Sequence, residues 1–153
     1  MAEVELRAAV ADSPESVRLL AAYEAELVLL GVTLNHGWTG GVTPEQLSPP
    51  LGAWLVGWRW DQAVCCGGVR LLPPGIAEIK RMYVDPSARG QGLARRLLAD
   101  LEAAAVDLGA ATARLDTGRD MAPAVALYRA TGYVEIEDYN GNPDAGWWFE
   151  KAL

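Results

Sequence analysis

Apolar and polar positions alternate from Val4 to Val10 and predict a first strand. Asp12-Ser13-Pro14-Glu15 then supplies a capping side chain, a proline suited to a first helical turn and an acid near the positive helix end. Val17, Leu20, Ala21, Leu27 and Leu30 follow at helical spacing, and Gly31 closes that helix. Residues 33–50 are irregular and rich in Gly, Pro and Thr, with Thr43-Pro44-Glu45-Gln46 opening one short helix. A stretch of this length suits the rim of a substrate entrance, or a plain connection. Ala53–Arg59, Ala63–Leu71 and Ala77–Val84 read as three consecutive strands. The turns Trp60-Asp61-Gln62 and Pro73-Pro74-Gly75 separate them, which makes an antiparallel meander.

From Gly90 the period becomes helical: Leu93, Leu97, Leu101, Ala104, Ala105 and Leu108 form one stripe, closed by Gly109. A short strand at Ala113–Asp116 precedes a helix from Asp120 to Ala130, with Pro123 in its first turn and Gly132 past its end. Tyr133–Ile136 and Trp147–Lys151 close the chain as strands around residues 140–146. The pattern predicts an α/β fold with a mixed, mostly antiparallel sheet of about six to seven strands, flanked by about four helices. At 153 residues, positions 1–153 are expected to form one domain.

A net charge of −7 disfavours nonspecific attraction to nucleic acid or an anionic membrane. It suits a cationic or amine-bearing partner, although solubility accounts for it as well. No apolar run approaches the ~20 residues of a membrane span, and no basic stretch followed by an apolar core opens the chain. The expected location is therefore cytoplasmic. Cys65 and Cys66 are adjacent and would face opposite sides of a strand, which reads as two small buried hydrophobes. With one histidine, His36, and no paired-cysteine motif, the expectation is no metal.

Asp85-Pro86-Ser87-Ala88-Arg89-Gly90-Gln91-Gly92-Leu93-Ala94-Arg95-Arg96 carries the chemistry. A strand ends, a turn of small residues follows, and an amphipathic helix begins. Small side chains let successive backbone N–H groups converge on an anion, and the first helical turn adds unsatisfied donors and positive potential. Arg89 and Arg95 can contribute charge-assisted bonds, so the ligand chemistry indicated is a diphosphate. Neither GxxxxGK[ST] nor a strand-borne GxGxxG is present.

Arg89-Gly90-Gln91-Gly92-Leu93-Ala94 resembles the R/Q-x-x-G-x-G/A signature of the GNAT family of N-acetyltransferases. Ala124-Val125-Ala126-Leu127-Tyr128-Arg129-Ala130-Thr131-Gly132-Tyr133 is similar to that family's A-x-x-L-Y-x-x-x-G-F/Y segment. The resemblance implies acetyl-coenzyme A as acyl donor, lying in a gap between two splayed strands. In this reading the backbones of Met82 and Val84 pair with the pantetheine arm. The segment Arg89, Gly90, Gln91, Gly92, Leu93, Ala94 and Arg95 holds the pyrophosphate. Tyr128 acts as general acid for the departing thiolate, and Glu78 stands where histone-type members carry a general base. Many members have Asn where this chain has Met121, so no cofactor contact is assigned there.

The implied activity is transfer of an acetyl group to a primary amine, small-molecule or peptide, by direct attack in a ternary complex. A carboxylate is needed because a free amine is mostly protonated at neutral pH. A strand period of two would set Glu78, Lys80, Met82 and Val84 on one face. Plainer readings stand beside these: Tyr128 as a core aromatic, Glu78 as an ion-pair partner of Lys80 or Arg70, Glu24 and Glu26 as solvated charges. A non-catalytic acyl-CoA-binding regulatory module is the alternative function. Homodimerisation, common in that family, is not legible in the residues.

Overall fold

The computed structural model describes residues 2–32 and 41–153. His36 and Trp38 therefore lie outside the described residues. The strands are β1 (Glu5–Ala8), β2 (Gly52–Arg59), β3 (Gln62–Leu72), β4 (Ile76–Val84), β5 (Thr112–Thr117), β6 (Val134–Ile136) and β7 (Trp147–Ala152). The helices are α1 (Pro14–Leu29), α2 (Leu93–Asp107) and α3 (Ala122–Ala130). The strands form one sheet in the order β1-β2-β3-β4-β5-β7-β6. Every pairing is antiparallel except β4 with β5, which α2 connects. A parallel neighbour needs such a crossover because a tight turn cannot reverse the chain twice.

About four helices were expected, and the described residues hold three α-helices with two 3₁₀ turns, Pro44–Leu47 and Pro86–Ala88. The first turn has a full capping box between Thr43 and Gln46. It stops after one turn because Ser48 is followed by Pro49 and Pro50, which lack the N–H groups a longer helix needs. Ser13 caps α1 through Ser16 N–H at 3.3 Å, as its position before Pro14 suggests.

The sheet is covered on both faces. Leu93, Leu97, Leu98 and Leu101 of α2 pack with Val64, Cys65, Val69, Ile79 and Phe149 on one side, and Tyr128 of α3 joins them. Leu19 and Leu20 of α1 and Leu47 pack with Trp54, Val56, Cys66 and Tyr83 on the other. The adjacent cysteines thus face opposite layers, as strand alternation requires. Burying each of these leucines stabilises the fold by about 1.5–3 kcal/mol. Trp54 donates its indole N–H to Ser16 Oγ at 2.9 Å, and that hydroxyl donates to Val10 O, which locks α1 onto β2.

β4 is not a regular strand. Arg81 has φ of 58°, and the register with β3 shifts between Cys66 and Gly68. One extra β4 residue is accommodated there as a bulge, which reverses the alternation beyond it. Ile79, Met82 and Val84 consequently pack toward α2, while Tyr83 packs toward α1. Glu78, opposite Arg70, lies on the α1 side. The expectation that Glu78, Lys80, Met82 and Val84 share one face is thereby corrected: Met82 and Val84 are on the other side from Glu78. Among the described residues, no helix is long and apolar enough to cross a membrane.

Candidate active site

β4 and β5 pair only at Ile76–Thr112, Ala77–Ala113 and Glu78–Arg114. β5 continues along β7 to Thr117, whereas β4 continues along β3 to Val84. The two strands therefore part, and a cleft of about 320 Å³ opens between them. Ile79 and Met82 contribute from β4, Asp116 from β5, Tyr128 from α3 and Tyr23 from α1. Among the described residues, the β5-facing edge of β4 beyond Glu78 has no strand partner, the arrangement to which an extended ligand can add itself.

The chain leaves β4 through Asp85, whose carboxylate accepts from Ser87 N–H at 2.9 Å, and reaches Gly90 and Gly92 at φ of 78° and 75°. Such values cost a residue bearing a Cβ about 1–2 kcal/mol, so glycine fits both positions. The space where either Cβ would stand is open. Gly92 is the N-cap of α2 and supplies no side-chain hydrogen bond to the first turn. Among the described residues no side chain caps the first turn of α2, the place where a helix start presents backbone donors to an anion. Leu93 turns its side chain into the core and offers only its main chain, while Arg95 is exposed.

Arg89, which opens the motif, reaches back to the end of β4 and across to α1. Its Nε donates to Val84 O at 2.9 Å, its Nη2 pairs with Glu26 at 2.7 Å, and its guanidinium lies over the Tyr83 ring. It braces the turn against α1 and the end of β4. Glu26, read from sequence as a solvated charge, is that brace's other half.

Tyr128 is 7% exposed, packs edge-on to Tyr133 and lines the cleft. Burial pushes its phenol well above the ordinary value near 10. Met121, to which no cofactor contact was assigned, also lines the cleft and precedes α3.

Glu78 is wholly buried. It accepts from Arg70 Nε at 2.8 Å, from Tyr139 Oη at 2.7 Å and from Asn140 Nδ2 at 3.4 Å, with Lys80 Nζ at 3.5 Å. Burial acts to raise its pKa, but Lys80, Tyr139 and Arg70 outweigh it and hold the carboxyl below its usual value. The ion pairs with Arg70 and Lys80 that were the plainer sequence reading are present, in the interior instead of at the surface. Asn140 also donates to Asp116, and its Oδ1 accepts from Trp148 Nε1 at 2.9 Å. One buried carboxylate therefore fixes the loop ahead of β7 as a wall of the cleft.

Asp116, Tyr139, Asn140 and Arg81 escaped the sequence reading. Asp116 lies next to the end of the short strand β5 and Tyr139-Asn140 stands in a loop, positions that carry little periodicity. The signal available was the cluster of polar side chains beside the Gly-Asn-Pro turn, which by itself names no partner.

The chain's residues 15–133 match the family model described as "Acetyltransferase (GNAT) family". An IAA acetyltransferase of Azospirillum brasilense is 37% identical over 92 residues; the match covers 60% of this chain, and the chain spans 60% of that curated relative's length. A solved structure from Klebsiella pneumoniae, described as an acyl-CoA N-acyltransferase, superposes with a TM-score of 0.79 at 32% identity, covering 100% of this chain and 99% of that one. An N-acetyltransferase of Thermoplasma acidophilum solved in complex with coenzyme A shares the fold, with a TM-score of 0.75 at 16% identity and 99% of each chain covered. The splayed strands, the glycine turn and the matched residues agree, and the chain belongs to the acetyltransferase (GNAT) family.

Proposed function

We propose that this chain transfers an acetyl group from acetyl-coenzyme A to a primary amine by direct attack, with both substrates bound together. The observation that carries the reading is the parting of β4 from β5 after three paired positions, followed in sequence by an uncapped helix start behind two open, positive-φ glycines. The coenzyme A bound to the related fold from Thermoplasma acidophilum supports the same donor. Acetyl-coenzyme A, when bound, supplies an activated acyl thioester.

In this reading the free edge of β4 at Met82 and Val84 takes the extended arm. The main chain of Gly90, Gln91, Gly92, Leu93, Ala94 and Arg95 donates to the diphosphate, and Arg89 holds that turn in place from behind. Tyr128 stays protonated because burial raises its pKa, so it has a proton to give as the C–S bond breaks and the N–C bond forms. The amine's own proton passes to a carboxylate, directly or through water.

In this reading two acids divide the labour. Glu78 is ionised but saturated by four donors, and its depressed pKa makes it a weak proton acceptor. We assign it to positioning the acceptor loop. Asp116 lines the cleft and lies within electrostatic range of Tyr128, so it is the carboxylate that meets the incoming amine.

Thiol release measured over a panel of amines tests this reading. Turnover is expected with at least one class. Tyr128→Phe should lower kcat by about 10²–10⁴-fold with acetyl-coenzyme A affinity unchanged in calorimetry. Retained acetyl-coenzyme A binding with no turnover on any amine would select the regulatory binding module instead.

A further inference from the structure

We propose that Glu26 of α1 is a positioning residue of the donor site, which through Arg89 holds the glycine turn ready for the diphosphate of acetyl-coenzyme A. The proposal rests on the acetyl-transfer reading and adds to it a residue from a helix outside the donor motif.

Gly90 and Gly92 stand two positions apart in the turn, both at positive φ and both with open space where a Cβ would be. Glycine loses more conformational freedom on ordering than any other residue. A turn of this make-up grips an anion well only when contacts outside it have removed that freedom beforehand. The chain entering the turn is fixed, since Asp85 accepts from Ser87 N–H at 2.9 Å and Ser87 Oγ at 2.6 Å, and Ala88 is buried. Arg89 is the last residue before the first glycine. Its Nε donates to Val84 O at 2.9 Å, its Nη2 to Glu26 Oε2 at 2.7 Å, and its guanidinium carbon lies 5.7 Å from the Tyr83 ring centre. Val84 and Tyr83 belong to β4, the strand that the turn itself continues. Glu26, by contrast, ties the turn to a different element, 63 residues away along the chain.

α1 is a firm anchor for such a tie. Leu19 and Leu20 are buried in the layer beneath it, and Trp54 bonds Ser16 at 2.9 Å. Tyr23, three residues before Glu26 and so on the same face of the helix, stacks on Tyr83 with ring centres 5.3 Å apart. That face therefore meets the end of β4 and the turn twice, once through a ring and once through an ion pair. Helix chemistry gives no reason for an acid here. Glu26 stands in the last turn of α1, at the negative end of the dipole, and that turn holds no basic residue of its own. Arg89 supplies the cation from outside the helix. In plain Coulomb terms a carboxylate beside an anion-binding turn works against a phosphate ligand, so its benefit to binding comes through Arg89.

Calorimetry with acetyl-coenzyme A on the full chain tests this by sign. Glu26→Gln keeps the shape of the side chain and removes its charge. Coulomb repulsion acting by itself would make the variant bind more tightly. The brace requires weaker binding, with Kd raised about 2- to 5-fold, the size of a partly exposed ion pair. The ratio to the natural protein should shrink toward one in about 1 M salt, where such pairs are screened. Glu26→Asp, which keeps the charge, should recover part of the loss. In an Arg89→Gln background Glu26→Gln should leave Kd unchanged, because the route has been removed. Thermal melts of the ligand-free variants report that the fold is intact. Tighter or unchanged binding in Glu26→Gln, or an equal loss in the Arg89→Gln background, overturns the proposal while the acetyltransferase reading stands. No heat of binding from the natural protein overturns the underlying reading, and the proposal with it.

Discussion

Tyr139 donates its hydroxyl to Glu78 at 2.7 Å, joining positions 61 residues apart and closing the loop ahead of β7 onto the third residue of β4. The bond falls where β4 and β5 make their last shared pair, Glu78 with Arg114. The point at which the strands part is thus also the point at which the loop ahead of β7 is anchored.

Removing that anchor should be expensive. Glu78→Ala leaves Arg70 and Lys80 without their shared partner, and both are about four-fifths buried. Breaking a buried ion pair from one side costs about 3–5 kcal/mol. The partial exposure of the two cations sets the expectation near the lower figure, read as a lowered urea midpoint with an unchanged slope.

Acid should expose the same group. The folded-state pKa of Glu78 lies below its ordinary value near 4.5. Its contribution to stability is therefore complete above that value and is lost as pH falls through the depressed folded value. Between neutral pH and pH 4.5 the stability gap between the natural protein and Glu78→Gln should stay constant. Below pH 4.5 it should close, as followed by urea melts at stepped pH.

The glycine turn makes a prediction about binding. Gly92→Ala forces a Cβ onto φ of 75°, at a cost of about 1–2 kcal/mol. Because the added atom meets nothing within 4 Å, the loss is conformational. A fall in melting temperature of about 2–8 °C is expected, together with weaker acetyl-coenzyme A binding in calorimetry.

Tyr128 should leave no alkaline limb at its ordinary pKa. Burial raises the phenol, so a kcat profile should run level through pH 10 as far as this residue is concerned. A fall centred near pH 10 that vanishes in Tyr128→Phe would contradict the burial argument.

Gly52 tests the fold apart from the site. A Cβ there would collide with the backbone carbonyls of Gln46 and Val69, which cannot rotate away. Gly52→Ala should cost about 3 kcal/mol or more, seen as loss of cooperative unfolding or a much lower midpoint.

Much of the fold was legible because its signals are local. Helical period marked α2, Pro14 and Ser13 marked the start of α1, and the Trp60-Asp61 and Pro73-Pro74-Gly75 turns marked the β2–β4 meander. The glycine turn before α2 was legible for the same reason: two glycines followed at once by a helix need no distant partner. The bulge at Arg81 was not legible. It arises from register against β3, and a period of two carried past it assigned Met82 and Val84 to the wrong face.

The order of residues by itself determined most of the elements, the glycine turn before α2 and the family, because backbone conformation and short-range periodicity are written within a few positions. Tertiary structure alone decided that Glu78 is a saturated anchor, that Arg89 turns back to Glu26, and that Arg70, Lys80 and Arg81 share a cleft with Asp116. Those outcomes depend on which strands neighbour one another and where they part. Charge and hydrogen-bond energies act over a few ångströms of space, whatever the separation along the chain.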